Sequence, residues 1–256
     1  MNADSSTSPG NQGKWLRFGL VAFPVGLVLL GAASFWFYFD NKAKKEKHTY
    51  RHALALRRDV DTASLSRYLA ILGDAAKLSP EERRQTVSSF VQSTLGPENM
   101  GYDLKKAVET DRGTERASYH ASLDGSRRPS DVVLVLAGYG DAQTSDDAAL
   151  SVLFSVAQAM TGTPRVKTVR FAVLDASTGG IRPPFERMDY DMRKSGDRVV
   201  HLVALGPSAR VLADEWSRSP GAGTVTIDLL PFQTADELKT RADAVLKVVV
   251  DAADRL

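Results

Sequence analysis

Continuous apolar runs that alternate with helical patterns constrain this fold more than any other feature of the sequence. The clearest run, Val132–Leu136, lies in a predicted strand at 131–137. Runs of the same kind predict three further strands, at 166–174, 198–205 and 223–229. Helices are predicted at 146–161, 207–217 and 234–255. Strands that are apolar at consecutive positions belong to sheets buried on both faces, so we expect an α/β fold with a mostly parallel sheet covered by helices on both faces.

Two helices and two strands are predicted before this region. The first helix falls within 61–78, and the second has Ser79 as its N-cap, Pro80 at its first position and an end near Gly96. The strands are predicted at 102–110 and 116–123. At 256 residues and 43% hydrophobic, the chain can bury one sizeable core, and we assign residues 59–256 to one domain.

The segment before the domain has the pattern of a membrane anchor. Phe18–Phe39 is a run of 22 residues without a charge, which is long enough to cross a bilayer as a helix. We therefore predict a single-pass transmembrane helix at 15–39, in contact with the lipid bilayer, and a disordered tail at 1–14. A cleaved signal peptide is the alternative, although the apolar run continues past the small residues at 31–34.

Residues 40–58 are rich in lysine and arginine and are expected to form a solvated stalk or to bind anionic headgroups. Seven basic residues follow the apolar span and two precede it, and by the positive-inside rule this count would place the domain in the cytoplasm. The rule is weaker for long translocated domains, so the count does not decide the orientation.

Composition and missing motifs exclude several classes of function. The 33 basic and 31 acidic residues are interspersed, which argues against a nucleic-acid partner. The absence of cysteine excludes disulfides, thiolate nucleophiles and cysteine-ligated zinc. The sequence has no nucleophile elbow, phosphate-binding loop or dinucleotide fingerprint. Ser177 follows a predicted strand, but no histidine is predicted nearby to act as its base.

In sheets of this kind, sites form beyond the carboxyl ends of the strands. The segment after the first apolar strand, AGYGDAQTSDDAALS, supplies three aspartates there: Asp141, Asp146 and Asp147. Two further segments, 175–180 and 206–208, are expected at the same edge. Asp175 brings a fourth carboxylate to this group, and a cluster made of carboxylates alone suits Mg²⁺ or Ca²⁺ better than zinc.

The order of elements, with Gly101-Tyr102 before a strand and then ASYHASLDGSRRPSDVVLVLAGYGD, resembles the di-zinc aminopeptidase family. The fold of that family also includes glutaminyl cyclases and the protease-like domain of the transferrin receptor. The resemblance covers Asp61 to about Leu230 together with the last helix. It implies a zinc site built from a His-x-Asp pair, a paired-aspartate motif, a Glu-Glu pair and further ligands from later segments.

This sequence departs from that pattern at most of the metal positions. Tyr139-Gly140-Asp141 falls on the His-x-Asp pair, so tyrosine replaces a ligand histidine. Asp146-Asp147 falls on the paired aspartates, and the resemblance makes Asp146 the bridging ligand. Ser177-Thr178 takes the place of Glu-Glu, and Ala204-Leu205 takes the place of an aspartate. The segment that carries the last histidine is absent.

The replacements predict a domain without a catalytic metal site or cofactor, because zinc needs three or four protein ligands and catalysis also needs a base. Asp141 and Asp146 are then vestigial ligands. We interpret Ser145, Asp146 and Asp147 as an N-cap and first-turn carboxylates of a helix. The alternative is a metal-dependent hydrolase with an atypical site made of Asp141, Asp146, Asp147 and Asp175.

The four histidines do not replace the missing ligands. His120 and His201 lie inside predicted strands and are interpreted as structural residues. His48 and His52 stand four apart in the basic stalk without a glutamate partner, and are interpreted as surface residues.

The function expected from the sequence is a membrane-anchored, non-catalytic aminopeptidase-like binding or scaffold module, with a protein or peptide as partner. Relatives with this scaffold usually work outside the cytoplasm, and a cysteine-free chain has no thiols that could mispair there. We therefore expect the domain on the extracytoplasmic side of the cell membrane.

Overall fold

The structure is a computed structural model that describes residues 55–111, 114–140, 144–177, 180–216, 223–227 and 234–255. Within these ranges, no helix is both long enough and apolar enough to cross a membrane. The predicted tail at 1–14, the predicted anchor at 15–39 and most of the stalk at 40–58 lie outside the described residues.

Among the described residues, six strands form one mixed sheet with the spatial order β1-β2-β4-β3-β5-β6. The strands are β1 (Leu104–Asp111), β2 (Thr114–Leu123), β3 (Gly125–Tyr139), β4 (Arg165–Asp175), β5 (Arg198–Leu205) and β6 (Gly223–Ile227). Strands β3 to β6 run parallel to their neighbours in this group, whereas β1 and β2 pair antiparallel, as do β2 and β4. The central strand β3 is fully buried from Asp131 onward, as its apolar run predicts.

In the described ranges, six helices cover the two faces of the sheet. They are α1 (Thr62–Ala75), α2 (Pro80–Leu95), α3 (Thr144–Met160), α4 (Arg182–Lys194), α5 (Gly206–Trp216) and α6 (Ala235–Asp254). The larger apolar core lies between the sheet and α1, α2, α3 and α6, and includes Phe154 and Phe171. A smaller core lies between the opposite face and helices α4 and α5. The predicted α/β fold with helices on both faces is confirmed.

The predicted element bounds agree with the structure to within a few residues, with two exceptions. Helix α2 begins as expected, with Ser79 and Glu82 forming a reciprocal capping box. The sequence analysis missed α4, because adjacent prolines and many charged residues obscure its pattern, although Phe185, Met188 and Met192 recur at helical spacing and are buried. Strand β3 also begins earlier than predicted, at Gly125.

This architecture brings the candidate segments together at one edge of the sheet. Tyr139, the last residue of β3, pairs in register with Asp175, the last residue of β4. On the other side of β3, Ala137 pairs with Leu205, the last residue of β5. Because the three strands are parallel, their carboxyl ends lie side by side, where sites form in sheets of this kind.

Candidate functional site

Tyr139 occupies the position where the resemblance expects a ligand histidine. Its side chain is buried, and its hydroxyl donates a hydrogen bond to the carbonyl oxygen of Ala117 at 2.5 Å. Burial raises the pKa of the Tyr139 hydroxyl well above its ordinary value, and the nearby Asp175 carboxylate raises it further. The phenol is therefore a neutral donor that fastens β3 to β2.

Asp147, in the first turn of α3, forms a buried ion pair with Arg83 of α2. The distance between Arg83 Nη2 and Asp147 Oδ1 is 2.7 Å, and the two side chains are only 3% and 6% exposed. Burial raises the pKa of the Asp147 carboxyl, against the opposing effect of the Arg83 guanidinium. This carboxylate is a structural partner of α2.

Asp146 points toward a different element, the start of α5. The hydroxyl of Ser208 donates to Asp146 Oδ2 at 2.6 Å, and the Ser208 backbone N–H approaches Oδ1 at 3.4 Å. Gly138 makes this approach possible, because a Cβ there would lie 2.7 Å from the Cβ of Ser208. Asp146 thus joins the first turn of α3 to the start of α5.

The prediction that Asp146 and Asp147 lie in the first turn of a helix is confirmed. The helix-capping interpretation missed what their carboxylates contact, since both make tertiary contacts with residues more than sixty positions away. The third aspartate of this segment, Asp141, lies outside the described residues.

Asp175 and Ser177 form a local turn at the end of β4. Asp175 Oδ1 accepts hydrogen bonds from the backbone N–H of Ser177 at 2.9 Å and from its hydroxyl at 2.5 Å. Gly140 packs against this turn with φ of +142°, and a Cβ there would lie 2.6 Å from the Ser177 nitrogen. The Ser177 hydroxyl is therefore a hydrogen-bond donor within a turn of the Asx type.

The two histidines in the described part of the chain lie inside strands, as predicted. His120 is in β2 on the face covered by α4, and burial together with the Arg170 charge lowers its pKa to about 4. His201 is in β5, and burial lowers its pKa as well. His48 and His52 lie outside the described residues.

The donors at this edge do not fit the zinc site that the fold family implies. Within the described ranges, no three His, Asp or Glu side chains converge in a way that could hold a metal ion. Asp146, Asp147 and Asp175 are each engaged with a protein donor, namely Ser208, Arg83 and Ser177. These carboxylates contact separate protein donors, and among the described residues they do not converge on a common point with the three or four ligands that zinc needs.

An open pocket of about 410 Å³ lies beside these residues, between α2, the β1–β2 pair and the ends of β3 and β4. Both charge signs line it. The lining residues are Glu81, Arg84, Gln85, Ser88, Lys106, Glu115, Ala117, Tyr139 and Asp175.

The sequence analysis missed this pocket as a site. Its one signal is on α2, where four polar residues recur at 81, 84, 85 and 88, the spacing of a single helical face. Val87 and Val91 of the same helix are buried in the core. In the sequence such a polar face looks like an ordinary solvated surface, because the strands that complete the pocket come later in the chain.

No family model matches the chain, and no curated protein matches it in sequence. Solved structures share its fold. A Zn-dependent exopeptidase from Parabacteroides distasonis ATCC 8503 has a TM-score of 0.50 at 11% identity, over 76% of this chain and 99% of that chain. The glutaminyl cyclase of Fimbriiglobus ruber has a TM-score of 0.51 at 12% identity, over 74% and 95%.

A Bacteroides thetaiotaomicron glutaminyl cyclase, solved with N-acetylhistamine bound, has a TM-score of 0.51 at 10% identity, over 76% of this chain and 99% of that chain. The resemblance inferred from the sequence is therefore confirmed at the level of the fold. Identities this low carry no information about activity, which must be argued from the residues themselves.

Proposed function

We propose that this chain is a membrane-anchored, non-catalytic aminopeptidase-like domain that binds a peptide segment of a protein partner in the pocket beside α2. One observation carries the proposal. The carboxylates at the strand ends are held in contacts with Arg83, Ser208 and Ser177, while the neighbouring pocket remains open and lined with charge. Such a scaffold retains a binding surface without a metal centre beside it.

The pocket chemistry favours a peptide over a purely apolar ligand. Its volume lies within the ordinary range of ligand pockets, about 300–1,000 Å³. Arg84 and Lys106 offer cations, and Glu81 and Glu115 offer carboxylates. A short peptide that carries both an acidic and a basic group would satisfy both sets, and electrostatic complementarity of this kind favours specificity.

Membrane attachment and orientation are proposed on the sequence alone. The uncharged run from Phe18 to Phe39 supports an anchor that spans the bilayer. An extracytoplasmic domain is favoured by the absence of cysteine and by the fold, although the basic stalk argues for the opposite orientation.

Metal analysis of the purified full chain tests the non-catalytic assignment. Zinc is expected below about a tenth of an equivalent, because the described carboxylates are already engaged. A thermal-shift series with Zn²⁺, Mg²⁺ and Ca²⁺ at millimolar concentration is expected to give no stabilisation. Stoichiometric zinc, or a metal-dependent shift accompanied by peptide hydrolysis, would instead establish the carboxylate-site hydrolase.

Reporter fusions test the orientation. Alkaline phosphatase, which is active only after export, is fused to Leu256 in one strain, and a fluorescent protein that folds only in the cytoplasm is fused there in another. The proposal expects phosphatase activity without fluorescence. The reverse pattern would place the domain in the cytoplasm and make the basic stalk a segment that binds anionic lipid.

A further inference from the structure

Strand β1 lies at one edge of the sheet and, among the described residues, pairs only with β2. Its outer edge carries a row of backbone N–H and C=O groups, and such a row pairs readily with another strand. We infer that this edge pairs with β1 of a second copy of the chain, antiparallel and about a two-fold axis at Ala107. The two sheets would then join into one continuous sheet.

The hairpin register decides which backbone groups face outward. Asp111 pairs directly with Thr114, so two residues separate the strands, and residues that flank such a turn are hydrogen-bonded to each other. Opposite pairs alternate along an antiparallel ladder between bonded and non-bonded positions. The positions with outward N–H and C=O groups are therefore Leu104, Lys106, Val108 and Thr110.

The charges on β1 of one copy complement the charges on β1 of the other copy. In an antiparallel pair centred on Ala107, Lys105 of each copy lies directly opposite Glu109 of the other, on the same face of the sheet. Neither residue has an ion-pair partner in the described part of the chain. Two such pairs form at once, because the axis repeats every contact.

Neighbouring registers lack the pairing of Lys105 with Glu109. A two-fold axis relates identical residues, so an axis at Lys106 places two ammonium groups opposite each other. An axis at Glu109 does the same with two carboxylates, and like charges in opposite positions destabilise a sheet. An axis at Val108 leaves Glu109 opposite Ala107 and places Lys105 opposite Asp111, the last residue of β1. Charge therefore favours an axis at Ala107 or Val108, and the Ala107 register matches its two charges within the strand rather than at its end.

Val108 supports the same arrangement. It is one of five large apolar side chains that are exposed among the described residues, at 50%. In the proposed register it lies opposite Lys106 of the other copy, whose aliphatic stem can cover it while the ammonium group stays in water. Lysines on an edge usually discourage pairing with another strand, but here the opposing strand carries a matching glutamate.

The pairing forms about eight backbone hydrogen bonds along one strand. It is expected to be weak, because the surface that it buries is smaller than that of a standard interface. Cross-linking can trap it. The chain has no native cysteine, so Ala107→Cys in the full chain introduces a single thiol. Opposite residues of a non-bonded pair have Cα atoms about 4.5 Å apart, which a disulfide can bridge.

Mild oxidation of A107C is expected to give a disulfide-linked homodimer on a non-reducing gel. Val108→Cys is the matched control: its copy lies two positions along the partner strand, beyond disulfide reach, so its yield should be at least about tenfold lower. On the A107C background, Lys105→Glu should reduce the dimer at least about fivefold by placing two glutamates opposite each other. Adding Glu109→Lys should restore it.

Circular dichroism tests whether each variant is folded. Sedimentation of the unmodified chain measures the dimer fraction independently of the cross-link. A dimer fraction that rises with concentration supports the inference. Equal yields at positions 107 and 108, failure of the charge swap to restore the dimer, or a monomer at about 100 μM would overturn it. Cross-linking of A107C to a different protein instead of to itself would also overturn it.

Discussion

The strand-end interior and the pocket beside it use charged residues in opposite ways. In the interior, Arg83 and Asp147 are almost fully buried and are matched to each other. Arg84 comes directly after Arg83 on the same helix, but it lines the pocket together with Glu81 of α2 and Lys106 of β1. Its side chain is partly exposed to solvent. One turn of α2 therefore supplies both a structural charge and a charge that is accessible to a ligand.

This difference separates residues that are fixed by stability from residues that are available to a ligand. Once a carboxylate such as Asp147 is buried against an arginine, removing either partner leaves an unpaired charge in the interior. The pair is therefore fixed by stability, whatever the function. The exposed charges of the pocket, such as Glu81 and Glu115, are under no such constraint, and we propose that they bind the peptide.

The largest effect is expected from breaking the buried pair. Arg83→Met should lower the free energy of unfolding by about 3–5 kcal/mol, because Asp147 is left charged and buried. Urea unfolding measures the loss. Arg84→Met, one position along the same helix, is the matched control and should change stability by less than about 0.5 kcal/mol.

The double variant Arg83→Met with Asp147→Leu should recover most of this loss, because an apolar pair needs no desolvated charge. Two nitrogens of Arg83, Nε and Nη1, are buried without a hydrogen-bond partner among the described residues, which adds to the cost of keeping this arginine. Equal stability of R83M and wild type would contradict the structural role of the pair.

Acidification should distinguish the effect of Asp147 on stability from the effect of His120, which is half-buried in β2. The folded pKa of His120 is lowered to about 4, so the unfolded chain binds this proton more readily. Stability is therefore highest above the unfolded pKa of about 6.5 and falls by about 2 kcal/mol as the pH drops toward 4, allowing for partial solvent access.

His120→Gln should remove most of this decline, which urea midpoints measured from pH 7 to pH 4 would show. The raised pKa of Asp147 acts in the opposite direction, since the folded protein takes up that proton more readily than the unfolded chain. An unchanged slope in the glutamine variant would assign the acid sensitivity to other groups.

A double-mutant cycle isolates the link between the first turn of α3 and the start of α5. Asp146→Ala and Ser208→Ala should show a coupling of about 1.5 kcal/mol, as expected for a hydrogen bond to a charged group. Asp146 makes further interactions, so the single variant D146A alone would overstate this contact. Additive effects of the two changes would show that the contact contributes nothing.

The smallest effect on stability, and the largest on binding, is expected in the pocket. Arg84→Ala and Glu115→Ala should each leave the free energy of unfolding, measured with urea, within about 0.5 kcal/mol of wild type. Peptides selected from a random library on the full chain should bind each variant about tenfold more weakly by fluorescence anisotropy. Lys247→Ala, exposed on α6, is the control, and an equal loss there would mean that the peptides bind nonspecifically.

Local pattern predicted most of the fold. The apolar runs of β3, β4 and β5 predicted buried parallel strands, because burial on both faces requires apolar residues at consecutive positions. Ser79 and Pro80 predicted the start of α2, because the first N–H groups of a helix have no partner within it and are satisfied by residues close in sequence. Helix α4 was missed because two prolines precede its three buried apolar residues and charged residues separate them.

The sequence by itself determined which residue types stand at the strand ends, and so the loss of most zinc ligands of the resembled family. Only the tertiary structure decided what the remaining carboxylates do. Asp147 meets Arg83 across 64 positions, and Asp146 meets Ser208 across 62. No local pattern encodes such a partner, because it depends on how α2, α3 and α5 pack around the sheet. The pocket beside α2 arises in the same way, from elements that are separate in sequence.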